Sequence, residues 1–275
     1  MAEILEKRDL TLVTKLFVVD APLVARNARP GQFVMLRVSE IGERVPISIT
    51  DFDAKSGTIT LVVQEVGRTS ALICALEEGD EILDLAGPLG LPVALPESGH
   101  AVLVGGGFGA GAVFPLAREL RARGAIVSAI VGARTAGLVI LRGLLEPVCD
   151  HYHVCTDDGS LGYHGFVSGR LEELIEAGAG FTSCFAVGPM PMMRAVAEVT
   201  RPHGLPTMVS LDPIMVDGTG MCGGCRVTIA GHTKFACVDG PFFDAHEVDY
   251  DEAVARSKMY VDEERVACEL AGVGR

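Results

Sequence analysis

The sequence predicts an antiparallel β-barrel, then a parallel-sheet α/β domain, then a small cysteine-bearing lobe, with borders at 1–98, 99–211 and 212–275. Three observations carry this. Up to residue 98 the chain is a series of short β-branched apolar runs cut by turn residues, the pattern of a barrel. From residue 99 apolar runs alternate with helical stretches, which implies a parallel sheet with crossover helices. From Asp212 that alternation stops, and glycine and cysteine crowd into one segment.

In the barrel, strands are expected at Thr11–Val19, Gln32–Val38, Pro46–Asp51 and Thr58–Val63, each rich in β-branched residues. Between them stand the turns Arg29-Pro30-Gly31, Ile41-Gly42-Glu43 and Lys55-Ser56-Gly57. A short helix is expected over Ser70–Leu76, and a Gly87-Pro88-Leu89-Gly90 turn with the proline-rich Leu91–Pro96 stretch forms the exit. Next come a strand at Ala101–Val104, a glycine run from Gly105 to Gly111 and a helix to Arg123. Further strands are expected at Ile126–Gly132, His151–Thr156, Thr182–Val187 and Thr207–Leu211, with helices at Glu172–Ala177 and Met190–Val199. The tail from Asp212 reads as a compact, loop-rich module.

A chain of 275 residues suffices for two domains of ordinary size. With 49% hydrophobic and 21% charged residues, disorder is not expected. The net charge of −13 argues against a nucleic-acid partner, because phosphate contacts need clustered Lys and Arg. The N-terminus, Met1 to Asp9, is too charged for a signal peptide. No apolar stretch reaches the roughly 18–20 residues a bilayer span requires. A cytoplasmic protein without a membrane span is expected.

Cytoplasmic thiols stay reduced, so the placing of the eight cysteines is informative. Cys74, Cys149, Cys155, Cys184 and Cys268 stand singly in apolar surroundings, as small core residues do. Cys222, Cys225 and Cys237 cluster in the glycine-rich tail, with Asp217 five residues before the first. The spacing is that of plant-type 2Fe–2S sites, C-x4-C-x2-C…C, with aspartate in the first position. A carboxylate is a harder donor than a thiolate, so altered potential and spectra are expected. Zinc could use the same ligands, the Cys-x-x-Cys pair could be a redox dithiol, and a plain turn with core cysteines is the bland alternative.

Two other motifs bear on ligands. The Gly105–Gly111 run is a strand-to-helix turn without side chains to block a close approach, so backbone N–H groups could face a pyrophosphate; a tight packing turn is the alternative. No acidic residue is placed to hold an adenosine 2′-hydroxyl, so NAD and NADP stay undistinguished. The stretch Arg44-Val45-Pro46-Ile47-Ser48 could hold a flavin, with Arg44 on the pyrophosphate and Ser48 and backbone on the ring and ribityl chain. A solvated arginine before an edge strand is the commoner meaning of such a run.

Taken in order, these motifs, with Thr156-Asp157-Asp158-Gly159-Ser160 and Gly188-Pro189-Met190-Pro191-Met192-Met193, resemble the ferredoxin-reductase superfamily over nearly the whole chain. The likeness is strongest to the group of the small (alpha) subunit of NADH-dependent reduced ferredoxin:NADP⁺ oxidoreductase, the dihydroorotate dehydrogenase electron-transfer subunit and the sulfide dehydrogenase subunit. The resemblance implies an FAD-binding barrel, an NAD(H)- or NADP(H)-binding α/β domain and a 2Fe–2S lobe. It implies that Pro46, Ile47 and Ser48 contact the flavin, with Arg44 near its phosphates and Val62 and Gln64 at the isoalloxazine and ribityl portion. Thr69 and Ser70 would open a helix that caps the pyrophosphate. Gly106, Gly107 and Gly109 would line the nicotinamide nucleotide site, with Arg134, Asp157 and Gly188 at its rim. Asp217, Cys222, Cys225 and Cys237 would hold the cluster.

Two departures stand out. Val187 takes the place of a cysteine that many ferredoxin reductases carry before the Gly-Pro pair. Asp217 stands where dihydroorotate dehydrogenase subunits have cysteine, which points toward the ferredoxin:NADP⁺ oxidoreductase. The implied chemistry is hydride transfer from NADH to flavin and single-electron transfer to the cluster, without a catalytic side chain. The implied partner is a larger flavin and iron–sulfur subunit resembling the glutamate synthase small subunit, with ferredoxin reached through that complex. A dihydroorotate dehydrogenase or sulfide dehydrogenase subunit is the alternative within enzymes. A zinc-stabilised nucleotide-binding regulatory protein is the alternative outside them.

Overall fold

In the computed structural model, which describes residues 1–40 and 42–272, the N-terminal half of the chain alternates inward apolar and outward polar side chains. In strand β5 (Thr58–Gln64), Ile59, Leu61 and Val63 are buried while Thr60, Val62 and Gln64 are half-buried, the period of two that one covered sheet face requires. The barrel holds β1 (Ala2–Thr11), β2 (Thr14–Asp20), helix α1 (Pro22–Asn27), β3 (Phe33–Arg37), β4 (Val45–Asp53), β5, helix α2 (Arg68–Cys74), β6 (Glu81–Ile82) and β7 (Asp84–Leu89). They form a seven-stranded antiparallel sheet in the order β6-β1-β2-β5-β4-β3-β7. Phe17, Val19, Val34, Leu36, Ile49 and Leu61 fill its interior.

Two expectations are corrected here. The strand predicted over Thr11–Val19 is interrupted by a hairpin turn at Leu12 and Val13, with Leu12 95% exposed. An apolar run does not reveal that two of its members face water. The charged N-terminus is itself a strand, because Ala2 and Ile4 point inward between Glu3 and Leu5. The Gly87–Gly90 stretch is not wholly a turn: Gly87, Pro88 and Leu89 complete β7. Proline is tolerated there because β7 is an edge strand and owes no outer ladder bond. The turn expected at Ile41-Gly42-Glu43 includes Ile41, outside the described residues.

The second half contains β8 (His100–Gly106), α3 (Gly109–Ala122), β9 (Ile126–Ala133), α4 (Arg142–Leu145), β10 (His151–Thr156), β11 (Tyr163–His164), α5 (Val167–Glu176), β12 (Ser183–Val187), α6 (Met190–Thr200) and β13 (Thr207–Ser210). The helix expected at Glu172–Ala177 thus begins five residues earlier, at Val167. These strands pair in parallel in the order β11-β10-β9-β8-β12-β13. Val102, Leu103 and Val104 are all fully buried, since a parallel sheet is covered on both faces. Val113, Leu116 and Leu120 of α3 pack on one face, and Leu171 of α5 with Met193 and Val196 of α6 on the other.

The tail is more regular than expected. It forms a hairpin, β14 (Arg226–Ile229) and β15 (His232–Phe235), then α7 (Ala236–Asp239), β16 (Phe242–Asp244), α8 (Tyr250–Ser257) and α9 (Val261–Ala271). Strand β16 adds antiparallel to β13, with Val209 opposite Phe243. Helix α8 packs on α6 and β14, and α9 reaches back to α2 of the barrel. A three-residue strand is too short to show a period, which is why the pattern hid it.

Candidate functional site

The parallel sheet starts at β8, runs outward through β9 and β10, and returns on the other side of β8 with β12. At such a reversal the loops leave in opposite directions and open a crevice outside the carboxyl ends of β8 and β12, where α/β sheets bind ligands. Gly106 ends β8, Gly107 and Gly109 follow it at the head of α3, and Gly188 follows β12. Each is small for its own reason. A Cβ on Gly109 would stand 2.0 Å from the Val187 carbonyl oxygen, and one on Gly188 would stand 3.1 Å from Gly106 Cα. Met192 crowds both Gly106 and Gly188, a contact the sequence marks only as a methionine run. Gly107 has φ +55°, and a Cβ there would meet nothing within 4 Å. Its backbone therefore borders open space at the head of α3.

Arg134 follows β9 and Asp157 follows β10, and both are exposed at the same carboxyl edge. Their loops are tied together: Asp157 N–H donates to Ala133 O at 3.1 Å and Asp158 N–H to Arg134 O at 3.3 Å. Asp158 serves the turn itself, accepting from Ser160 N–H and hydroxyl. The topology thus brings Gly106, Gly107, Gly109, Arg134, Asp157 and Gly188 to one edge of the sheet. Val187 is buried.

On the barrel, β4 pairs with β3 over Val45–Ser48 and with β5 only from Ile49 onward, so Val45–Ser48 has no partner on the β5 side. That leaves one side of an interior strand without ladder partners. Pro46 and Ile47 are half-buried there and Ser48 is exposed, so a planar ligand with polar edges fits. Continuing the Ile49–Leu61 register places Ser48 across from Val62 and Pro46 across from Gln64. The region faces α3, since a Cβ on Gly111 would lie 2.9 Å from Thr50 Oγ1 and 3.4 Å from Val62 Cβ. Thr50 was not singled out by the sequence. The Arg118 guanidinium of α3 pairs with Asp51 and lies 4.8 Å over the Phe52 ring. Burial nonetheless pushes the Asp51 carboxyl above its ordinary value.

The remaining barrel candidates are engaged locally. Arg44 is exposed, 3.8 Å from Asp84, a distance at which an exposed pair contributes little. Thr69 donates to Glu43 Oε2 at 2.5 Å. Ser70 Oγ accepts from the Val66 and Gly67 N–H groups and donates to Gly67 O, each at 2.9 Å. Its hydroxyl is used up in capping α2.

In the tail, Cys225 and Cys237 are buried with their sulfurs 3.1 Å apart. Asp217 accepts from Thr219 N–H and Cys222 N–H, both at 2.9 Å, and these bonds, Thr219's foremost, hold its carboxyl below the usual range. Cys222 is exposed, and its sulfur accepts from Gly224 N–H at 3.4 Å. Burial, then Cys225, push the Cys237 thiol up to about 12. The donors therefore stand as two pairs, Asp217 with Cys222 and Cys225 with Cys237. Two pairs suit two irons. The lobe packs on the barrel at Gly218, where a Cβ would lie 2.6 Å from Met35 Cγ and 3.0 Å from Leu89 Cδ1. Of the scattered cysteines, Cys74, Cys155, Cys184 and Cys268 are buried and Cys149 half-buried, and burial drives the Cys149, Cys155 and Cys184 thiols to about 12. They are core residues.

To draw electrons from a pyridine nucleotide through a flavin into an iron–sulfur centre, a protein needs three sites within reach of one another, and the crevice, the open side of β4 and the cysteine lobe are the candidates for them in this chain. That is the class of NAD(P)H-dependent electron-transfer flavoproteins built on the ferredoxin-reductase fold. Residues 212–249 match the model of the iron–sulfur cluster binding domain of dihydroorotate dehydrogenase B. Among curated relatives, the Thermotoga maritima homologue of the dihydroorotate dehydrogenase B electron-transfer subunit is 43% identical, over 92% of this chain and 89% of its own. The Geobacillus thermodenitrificans electron-transfer subunit is 36% identical over 82% and 89%. Among solved structures, a chain from the NADH-dependent reduced ferredoxin–NADP oxidoreductase superposes with TM-score 0.93 and 41% identity, over 98% of this chain and 97% of that one. A cytochrome P450 reductase from Amycolatopsis, 24% identical with TM-score 0.63 over 74% and 66%, shares the fold. The chain belongs to the family of dihydroorotate dehydrogenase B electron-transfer subunits and their homologues. It is an electron-transfer subunit, and a larger partner subunit is implied. Among the described residues no helix is long and apolar enough to cross a membrane.

Proposed function

We propose that this chain moves electrons between NAD(H), FAD and a 2Fe–2S cluster as the small subunit of a ferredoxin:NADP⁺ oxidoreductase complex. The observation that carries the reading is the paired arrangement of Asp217 with Cys222 and of Cys225 with Cys237 in a lobe packed on the barrel. Asp217 in the first ligand position favours this complex over the dihydroorotate dehydrogenase one. When bound, the flavin converts a two-electron hydride into single electrons, which the cluster carries onward. The residues that would hold a flavin are those on the open side of Val45–Ser48, together with Val62, Gln64 and Arg44. Gly106, Gly107 and Gly109 let the nucleotide backbone approach the head of α3, with Arg134, Asp157 and Gly188 bordering it. No side chain moves a proton in this scheme; the protein orients, tunes and excludes water. The partner proposed is a larger flavin and iron–sulfur subunit like the glutamate synthase small subunit, through which ferredoxin exchanges electrons.

The test is an anaerobic visible spectrum with flavin and iron analysis, then EPR after dithionite reduction. Flavin bands, two irons per chain, and an EPR signal that moves in Asp217→Cys without loss of iron are expected. A colourless protein with one zinc would sink the proposal. Reconstitution with each partner then separates the two enzyme readings: NADPH formation with reduced ferredoxin and NADH supports the one argued here, and orotate formation from dihydroorotate supports the other.

A further inference from the structure

The cluster loop is held from outside the segment that the iron–sulfur domain model covers. That match ends at residue 249, and Arg256 lies in the last turn of α8. Its guanidinium donates from Nη2 to the carbonyl oxygen of Gly224 at 3.0 Å. Gly224 stands between Cys222 and Cys225, and its own N–H donates to the Cys222 sulfur. The peptide joining Gly224 to Cys225 is planar and trans, so anchoring its carbonyl fixes the direction of the Cys225 N–H, opposite to Arg256. Arg256 thereby sets the orientation of the peptide that precedes a cluster sulfur.

The same side chain carries an unusual group. Arg256 Nε is buried and has no hydrogen-bond partner among the described residues. A buried N–H of a charged guanidinium is costly to leave unpaired, and an anionic acceptor pairs with it most strongly. Thiolate and sulfide sulfur are such acceptors. Reduction potentials of iron–sulfur clusters respond to nearby charge and to N–H bonds at sulfur. A fixed positive charge stabilises the reduced, more negative state and raises the potential.

We infer that Arg256 is a positioning residue for the 2Fe–2S centre: it holds the Gly224 carbonyl, keeps a positive charge and a free N–H beside the cluster loop, and raises the cluster's reduction potential. This rests on the cluster reading above. The test is EPR-monitored redox titration of the holo protein, alongside iron content and thermal unfolding, for the parent, Arg256→Met and Arg256→Lys. The half-reaction read is one electron in from the titrant, with no bond made or broken. Arg256→Met is expected to retain two irons and to shift to more negative potential, by about tenfold in the ratio of reduced to oxidised cluster at fixed potential, which is ~59 mV for a one-electron couple. Arg256→Lys keeps the charge but lacks the planar fork, so a smaller shift in the same direction is expected.

An Arg256→Met protein with full iron and the parent potential would overturn the role of Arg256 alone. So would loss of iron with no shift in the clusters that remain, which is the mark of a merely structural contact. If Arg256→Met does not fold, Arg256→Lys decides: a negative shift supports the role and the parent potential overturns it. A parent protein without iron would overturn the cluster reading itself, and the role of Arg256 with it.

Discussion

Gly109 and Gly107 stand two residues apart and are glycine for opposite reasons. At Gly109 the obstacle is packing: a methyl group would collide with the Val187 carbonyl at 2.0 Å, and backbone cannot swing aside as a side-chain tip can. Gly109→Ala is expected to destabilise the fold by about 1–3 kcal/mol or more, visible as a lower unfolding midpoint. At Gly107 the obstacle is conformation, φ +55°, which costs a non-glycine residue about 1–2 kcal/mol, while the methyl itself would point into open space. Gly107→Ala is expected to unfold nearer the parent temperature and to bind NADH more weakly, measured by direct nucleotide titration. Equal nucleotide affinity in Gly107→Ala and the parent would remove the glycine loop from the site. The same letter in the same run thus records a close backbone approach at Gly109 and a left-handed backbone beside open space at Gly107.

Helix α8 is the element on which the C-terminal lobe turns. Asp249 caps it, accepting from Glu252 N–H at 2.9 Å, and Asp251 and Glu252 place negative charge in its first turn, where the helix dipole favours it. Tyr250 and Ala253 face the core, and Arg256 closes the last turn against the cluster loop. Asp249→Ala is expected to cost about 0.5–2 kcal/mol, read as a fall in thermal stability, with faster loss of iron under a chelator. Unchanged iron retention would show that the loop does not depend on α8. Much of the element pattern was legible beforehand. Strand β10 matches its expected limits, and β5, β9, β12 and α6 differ by one residue at one end. Elements escaped notice where length or exposure hid the period, as with β16 at three residues and the hairpin turn at Leu12.

At the scale of the molecule, the parallel sheet has a pH-sensitive end remote from the ligand crevice. His100 begins β8, with Nδ1 2.9 Å from Ala179 O and Nε2 2.8 Å from Ser128 Oγ. Burial holds its imidazole below its ordinary value of 6.5, and burial does the same to His153. The unfolded chain therefore binds protons that the folded chain refuses. Stability is whole above that value and is lost as the pH falls below it. His100→Gln is expected to flatten the dependence of unfolding free energy on pH between about pH 7 and 5, with His153 keeping part of the slope. An unaltered slope in denaturant titrations would show that His100 is not responsible.

What the sequence determined by itself was the class of each region and the chemistry available to it. Period-two runs, buried parallel runs, a glycine turn and cysteine spacing are local, and local order survives in one dimension. Only the tertiary structure decided how those regions meet. It set the β8–β12 reversal that gathers Gly106, Arg134, Asp157 and Gly188, the unpaired side of β4 facing α3, and the return of β16 to the edge of the parallel sheet. It also brought Arg256 to the Gly224 carbonyl, a contact between residues 32 apart that no spacing rule predicts. Such contacts are set by packing between distant segments, and side chains far apart in the chain become neighbours only once their elements have buried their apolar faces against one another.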